Sequence, residues 1–542
     1  MLVQSIQLNK TNQLINEYRK EQDFVTEYFD YKPFTEVKER AAYVQQIKRD
    51  RKKLVDVLYN MNRNWNAPQS TLSQIERLKD ETSVVVIGGQ QAGLLTGPLY
   101  SLNKLISVYR FAKEQEESLG VPVIPIFWIA GEDHDYDEIN HIYTVRDKKI
   151  TKHITKQQEW IKKSVSSIPL DKQKTADWLR KAFLDLHETV HTKDLYTKME
   201  NCLQRAHTFV DFFALIIFEL FKDEGIVLVD SGNEQLRQLE GEHFTKIFEQ
   251  SEQIAEDVYE TVQTLQQQGY NVPLDVEKDD VHLFYHDEHG ERILLKREEN
   301  EFVGKNGEVT LTKETLLHIA QTTPEKLSNN VITRPMMQEL LFPTLAFIAG
   351  DGEISYWAAL KKAFHIIGEK MPPVVPRLSF TYVPKRTEKL LDQRVIQVDE
   401  AIREGVSQKK MQWLMAQTHV PTEYLFEEAK VSLEKIHAPL QEMAANIAPD
   451  LHEASKTNIH LMMEQLSFLE RKTMQTIREQ HDEVMGQFEE LDLVLHPNGG
   501  LQERVYSPLF LLNEYGENWI QQINQLSSIP FTEDHFVVYF MG

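Results

Sequence analysis

The chain has 542 residues, 41% hydrophobic and 26% charged, too long for a single hydrophobic core and too ordinary in composition for wholesale disorder. Two or three domains are expected. Asp and Glu number 83 against 60 Lys and Arg, a formal charge of -23, so the field of the whole molecule repels phosphate backbones and anionic lipid. Nucleic acid and membranes are therefore not expected as partners. A small anionic ligand stays open, because a local basic cluster can override the global sign. The single cysteine, Cys202, permits no intramolecular disulfide framework and no multi-thiolate metal site. Within the helical run Tyr196–Leu203 it reads as a partly buried structural thiol. The first residues lack the basic and continuous apolar regions of a signal peptide, and no apolar run reaches the roughly 18 residues of a membrane span. The cytoplasm is the expected address.

In chain order, residues 1–80 show apolar positions at helical spacing (Tyr43, Ile47, Leu54, Val57, Leu58) and read as a helical lead-in. A core follows over residues 81–385. Ser83–Ile87 is a β-branched run that ends in Gly88-Gly89, and Leu99, Leu102, Ile106 and Tyr109 follow at steps of three and four, giving strand, loop and helix. Pro98 suits the first helical position, with Gly97 as its cap. Ile124–Ala130 is a second buried strand at the separation of a βαβ unit. Three more short strands, Ile226–Val229, Thr344–Ala349 and Pro373–Val375, each run into polar residues at their carboxyl ends, the edge where open α/β sheets bind ligands. An inserted subdomain spans about 240–330, and within it Val281–Glu298 alternates on both sides of His289-Gly290, a hairpin pattern. Residues 386–496 read as a helical coiled-coil arm whose seam runs from Ile459 through Met462, Leu466, Leu469, Thr473, Ile477 and His481 to Leu495. Residues 497–542 return to mixed structure and end in the strand-like Phe536–Phe540. The fold class expected is α/β, a Rossmann-like parallel-sheet core with inserted connecting segments plus an all-helical coiled-coil domain.

Four clusters can carry chemistry. In Gly88–Pro98 (GGQQAGLLTGP) four glycines let the backbone turn sharply and present amide N–H groups at a helix start, which suits an anion. Gln90, Thr96, Gly97, Asn103 and Lys104 lie near enough to contact a substrate, and Gly88, Gly89 and Gly93 to line a cofactor. The spacing matches neither the dinucleotide nor the P-loop fingerprint. The acidic stretch Glu132–Asp137 mixes carboxylates with His134 and offers Asp133, His134 and Asp135 as acid/base groups, with Glu132 and Asp137 as substrate contacts; a metal is not expected there. Arg334 can pair with a carboxylate or phosphate, Glu353 and Tyr356 share a face of the next helix, and Asp230 and Arg377 end two other strands. The last cluster, Pro497–Arg504 (PNGGLQER), stops a helix and returns Gln502 and Arg504 toward the core, with Gly500 in the turn.

The long strings GGQQAGLLTGPLYSLNK (88–104), PVIPIFWIAGEDHDYDEINH (122–141), TRPMMQELLFPTLAFIAGDGEISYWAALK (333–361) and HPNGGLQERVYS (496–507) resemble, in this order and over nearly the whole chain, the bacillithiol biosynthesis cysteine-adding enzyme family (BshC). The resemblance implies the last step of bacillithiol synthesis, in which cysteine is joined through its carboxyl group to the amine of glucosaminyl-malate. It also implies a homodimer made through the coiled coil. Direct condensation in water is unfavourable, so ATP is the expected co-substrate, leaving ADP or AMP. It then implies roles on this chain: Gly88, Gly89, Gly93, Gly500, Gln502 and Arg504 for the nucleotide, and Arg334 or Arg377 for the malate carboxylates. The core also looks like that of class I nucleotidyl-transferring ligases, yet Leu95-Thr96-Gly97-Pro98 has neither histidine of their His-x-Gly-His turn, and no Lys-Met-Ser-Lys-Ser string occurs. The alternative reading is a non-catalytic nucleotide- or thiol-binding scaffold that uses the coiled coil for assembly.

Overall fold

The computed structural model describes residues 1–8, 12–299, 301–417 and 421–540. It separates into two compact units, one formed by residues 1–382 with the return from 502, the other by 383–501.

The first unit is built on five strands: β1 (Val84–Gln90), β2 (Val123–Ile129), β3 (Val227–Asp230), β4 (Thr344–Ala349) and β5 (Val374–Pro376). They pair in parallel in the order β5-β4-β1-β2-β3. Their sequences do not alternate because helices cover both faces of the sheet. Every residue of β2 is buried, and each large apolar side chain so placed contributes about 1.5–3 kcal/mol. Helix α1 (Leu99–Leu119) follows β1 and buries Leu99, Leu102, Leu105 and Ile106. Pro98 is its cap and Leu99 its first residue, one place later than expected.

Two sequence expectations change here. Strand β1 runs on through Gly88, Gly89 and Gln90, so the first two glycines belong to the sheet and not to the turn. A β-carbon on Gly88 would come within 2.6 Å of Val108 Cγ2, and one on Gly89 within 2.7 Å of the Trp128 carbonyl oxygen. Close packing of β1 against α1 and β2 is thus what requires glycine at both places. The second change is in the lead-in, which opens with a strand, Leu2–Ile6, antiparallel to His535–Tyr539; that strand also neighbours Phe380–Val383 in one three-stranded sheet. The helical spacing that begins near Tyr43 gives no hint of it, because its partner lies at the far end of the sequence.

Between β3 and β4 the chain forms α2 (Glu234–Glu249), a further helix Ser251–Gln267, and an antiparallel sheet in which Asp280–His286 and Arg292–Glu298 are the expected hairpin. His286 lies opposite Arg292. Helix α3 (Thr333–Leu341) leads into β4, and α4 (Asp351–Trp357) leaves it. Cys202 is buried in the helix Thr192–Arg205, where burial pushes its thiol up to about 12. That is the inert structural thiol expected.

The second unit is all helical. Its long helices Thr422–Ile447 and Pro449–Gln480 form a hairpin about Ala448, tied by Lys430 to Glu470 at 2.7 Å and by His437 to Asn458 at 3.0 Å. The expected seam is interrupted at His481, where φ is -120° and a new helix, Asp482–Leu495, begins. Met462 and Leu469 of that seam are 40% and 55% exposed. Among the described residues, no helix is long and apolar enough to cross a membrane.

Candidate active site

The carboxyl ends of β1, β2 and β4 frame a cavity of about 220 Å³, lined among others by Gln90, Gln91, Asp133, Glu138, Arg334 and Glu353. Trp128, Gln338 and Tyr356 complete much of its wall. It occupies the sheet edge where parallel α/β folds place ligands.

Behind the wall lies a buried charge cluster centred on Glu132, the first acidic residue after β2. Its Oε1 accepts from Arg334 Nε at 2.7 Å, and its Oε2 accepts from Arg237 Nη2 at 2.5 Å and from the Asn329 amide at 3.2 Å. Burial favours its neutral form, but Arg237, Arg334 and Arg292 together overcome this and hold the carboxyl at about 2. Arg237 also reaches Glu240 at 2.8 Å. Glu132, expected to touch substrate, is therefore consumed in positioning Arg334. The buried Nη2 of Arg334 is 3.7 Å from Asp133 Oδ1 and has no hydrogen-bond partner among the described residues. An orphaned guanidinium donor in a cavity wall is a place for an acceptor from a ligand.

Asp133 lines the cavity, with Arg292 Nη1 donating to its Oδ1 at 3.2 Å and Gln91 Nε2 to its Oδ2 at 3.4 Å. The same Arg292 Nη1 lies 3.1 Å from His134 Nδ1. A guanidinium only donates, so Nδ1 accepts and the ring is the neutral tautomer protonated on Nε2. Burial first, then Arg292, lowers the His134 pKa. His134 packs edge-on against Phe284 and is absent from the cavity wall, as is the exposed Asp135. Of the three residues expected to exchange protons, only Asp133 faces the cavity.

Arg292 is the residue that sequence reasoning missed. It stands just past the hairpin turn, stacks over Phe284 at 3.7 Å and donates to Ser328 Oγ and the Asn329 carbonyl at 3.1 and 2.5 Å. Burial pulls it down to about 10. Arg237 was missed too; an Arg–Glu pair three apart, just after Asp230-Ser231-Gly232, was the available signal. Gln91, Glu138 and Gln338 are further lining residues not singled out.

Lys104, which does not itself line the cavity, reaches from α1 to donate to the Gly89 carbonyl at 2.7 Å and to Glu353 Oε2 at 2.5 Å, and its Nζ lies 3.5 Å from Gln90 Oε1. Burial lowers the Lys104 pKa, an effect that Glu353 only partly offsets. Glu353 Oε2 also accepts the Gly350 amide at 2.7 Å. Gln90, Glu353 and Tyr356 line the cavity together, and Lys104 meets Gln90 and Glu353.

Several other candidates are placed elsewhere. Gly93 and Gly97 close on each other, a β-carbon on Gly93 meeting Gly97 Cα at 2.7 Å. Leu95, Thr96 and Gly97 are left-handed in succession, and the buried Thr96 hydroxyl has no hydrogen-bond partner among the described residues. None of these loop residues lines the cavity. Asn103 and Arg377 both serve Glu503: the amide donates to it at 2.6 Å, and the guanidinium at 2.6 and 2.9 Å. Arg377 therefore holds one of the protein's own carboxylates. Gln502 bonds both the amide and the carbonyl of Tyr382, each at 2.9 Å. Arg504 and Asp137 are exposed, and Gly500 lies in the helical unit after the turn Pro497–Gly499. Asp230 accepts from Ser166 at 2.6 Å and faces a separate cavity of about 270 Å³ with Arg205 and His207. Burial raises it to about 6. Of the residues expected to hold a nucleotide, Gly89 borders the central cavity. Among the described residues, no group of three or more His, Cys, Asp or Glu is arranged to hold a metal ion.

Comparison with known proteins gives two adjoining family matches, the second of which also takes in the return from 502 that packs with the α/β unit. Residues 1–378 match the family model described as bacillithiol biosynthesis BshC, N-terminal Rossmann-like domain, and residues 380–540 match that of the BshC C-terminal coiled-coil domain. A protein of Oceanobacillus iheyensis named "Putative cysteine ligase BshC" is 39% identical over 539 residues, 98% of this chain and 99% of that one. Proteins of the same name are 40% identical in a Geobacillus species, over 90% of each chain, and 36% identical in Bacillus licheniformis, over 99% of this chain and all of that one.

Proposed function

The chain belongs to the BshC family of bacillithiol biosynthesis, and on that premise we propose that its central cavity joins cysteine to the amine of glucosaminyl-malate. The observation that carries this reading is the unsatisfied Nη2 of Arg334, in a cavity that also presents Asp133 and Glu353. One guanidinium edge without an acceptor suits a substrate carboxylate. Nearby protein carboxylates suit an amine, and Gln90, Gln91 and Gln338 offer both donors and acceptors to sugar hydroxyls. Amide formation from a free carboxylate needs an activated acyl group, so a nucleoside triphosphate is the proposed co-substrate. The cytoplasm, which supplies both thiol precursor and nucleotide, is the proposed compartment.

We further assign the helical unit to self-association. Ile436, Met443, Ile447, Phe468 and Leu469 are each at least half exposed on its two long helices, apolar surface that a partner helix would bury. Sedimentation at micromolar concentration should give a dimer, and Ile436→Glu with Phe468→Glu a monomer.

The assay mixes cysteine, glucosaminyl-malate and ATP and follows the amide by mass spectrometry and the nucleotide by chromatography. The expected result is amide formation matched by nucleotide breakdown. Binding of all three without product would overturn the ligase reading.

A further inference from the structure

Only the neutral form of an amine attacks a carbonyl carbon, and a primary amine is largely protonated at neutral pH, so a site that makes an amide gains from a proton acceptor beside the amine. Three carboxylates border the central cavity: Asp133, Glu138 and Glu353. Asp133 has both oxygens engaged, one by Arg292 and the other by Gln91. Glu138 is exposed on the short helix Tyr136–Ile139, where water competes for it. Glu353 differs from both. Its side chain is 26% exposed, and the bonds from Lys104 and from the Gly350 amide both fall on Oε2. Oε1 has no hydrogen-bond partner among the described residues, while the carboxyl group is clamped from behind at two points.

We propose that Glu353 is the catalytic residue that takes the proton from the substrate amine, with Lys104 as the positioning residue that aims Oε1 into the cavity. This rests on the ligase reading above. The ammonium group gives one proton to Oε1. The freed lone pair then attacks the carbonyl carbon of cysteine, carried as an acyl phosphate or acyl adenylate. The C–N bond forms, the bond from that carbon to the phosphoryl oxygen breaks with its electron pair on oxygen, and the second nitrogen proton leaves with the departing phosphate. Helix α4 carries Tyr356 one turn beyond Glu353 into the same wall, and Arg334 supplies the carboxylate contact that holds the amine-bearing substrate in register.

The test compares two amines in the full-length protein. Glucosaminyl-malate needs a proton acceptor; hydroxylamine is already neutral near pH 7 and needs none. Glu353→Gln keeps an acceptor for the Gly350 amide and should lower kcat for the glucosaminyl-malate amide about 100-fold. Cysteine hydroxamate formation should stay within about threefold of the unaltered protein. Equal loss of both reactions, or an unchanged amide rate, overturns the role of Glu353. If the unaltered protein makes hydroxamate but no amide with glucosaminyl-malate, the choice of substrate fails instead, and if it makes neither product the ligase reading fails. Should Glu353→Gln not fold, Glu353→Asp keeps the charge on Lys104 while withdrawing Oε1, and the same split between the two amines is required of it.

Discussion

Two fully buried glutamates, one beyond the carboxyl end of β2 and the other just before the amino end of β4, face similar partners and behave differently. Glu132 is held at about 2. Glu339, which takes Arg40 at 2.6 Å and Arg49 at 2.9 Å, is pushed up to about 7 by burial that its two arginines offset only in part. Glu132 has three arginines near it and a backbone amide besides; Glu339 has two, and shares Arg49 with Glu369 at 3.5 Å. The third guanidinium decides whether a buried carboxylate stays ionised. It is also the carboxylate at the carboxyl edge of the sheet that is fixed, and the one at the amino edge that titrates.

The largest expected effect is at Glu132. Glu132→Gln removes the carboxylate that Arg237 and Arg334 share, leaving Arg237 only Glu240, and should cost about 3–5 kcal/mol, read from denaturant midpoints at pH 7. Glu339→Gln should cost less, about 1 kcal/mol at pH 6, because the unaltered residue is then largely protonated already. A cost as large as that at Glu132 would erase the contrast. The pH dependence sharpens it. The Glu339 value of about 7 lies above the ordinary 4.5, so the folded state holds that proton more tightly, and stability falls as pH rises from about 4.5 to about 7. Thermal unfolding of the Glu339→Gln variant should show a shallower fall across that window. For Glu132, about 2 against 4.5, the stabilisation is complete above about pH 4.5 and is lost as pH falls toward 2. The smallest stability effect is expected of Arg334→Lys, within about 1 kcal/mol, because Glu132 keeps its bond to Arg237. The same variant should lose most affinity for glucosaminyl-malate by calorimetry, since an ammonium cannot bridge Glu132 and a substrate carboxylate as a guanidinium does.

The parallel sheet was legible because five short apolar runs, each ending in polar residues, are what a sheet covered on both faces requires. The strand Leu2–Ile6 was not, since pairing with His535–Tyr539 leaves no local trace. At the site, the segments that meet were readable from the glycine, acidic and arginine clusters. The pairings were not: Arg334 answers to Glu132, Arg377 to Glu503, and Arg292 arrives from a hairpin that by itself looks like ornament. Partner choice among buried charges depends on geometry that spans hundreds of residues. The glycines taught the same lesson in reverse, since what requires glycine at Gly88 and Gly89 is the nearness of Val108 and Trp128.

The paired hydrogen bonds between Gln502 and Tyr382 have a topological consequence. They join the residues at which the chain leaves the α/β unit and comes back to it. The α/β unit is thereby closed on itself across the gap, as a hairpin closes across its turn. To the rest of that unit the whole helical segment is a single long loop whose ends are already tied. Long loops add little closure entropy once their ends are fixed, so such a graft point lets a chain exchange one assembly module for another, or for a short turn, without retuning the sheet that carries the chemistry.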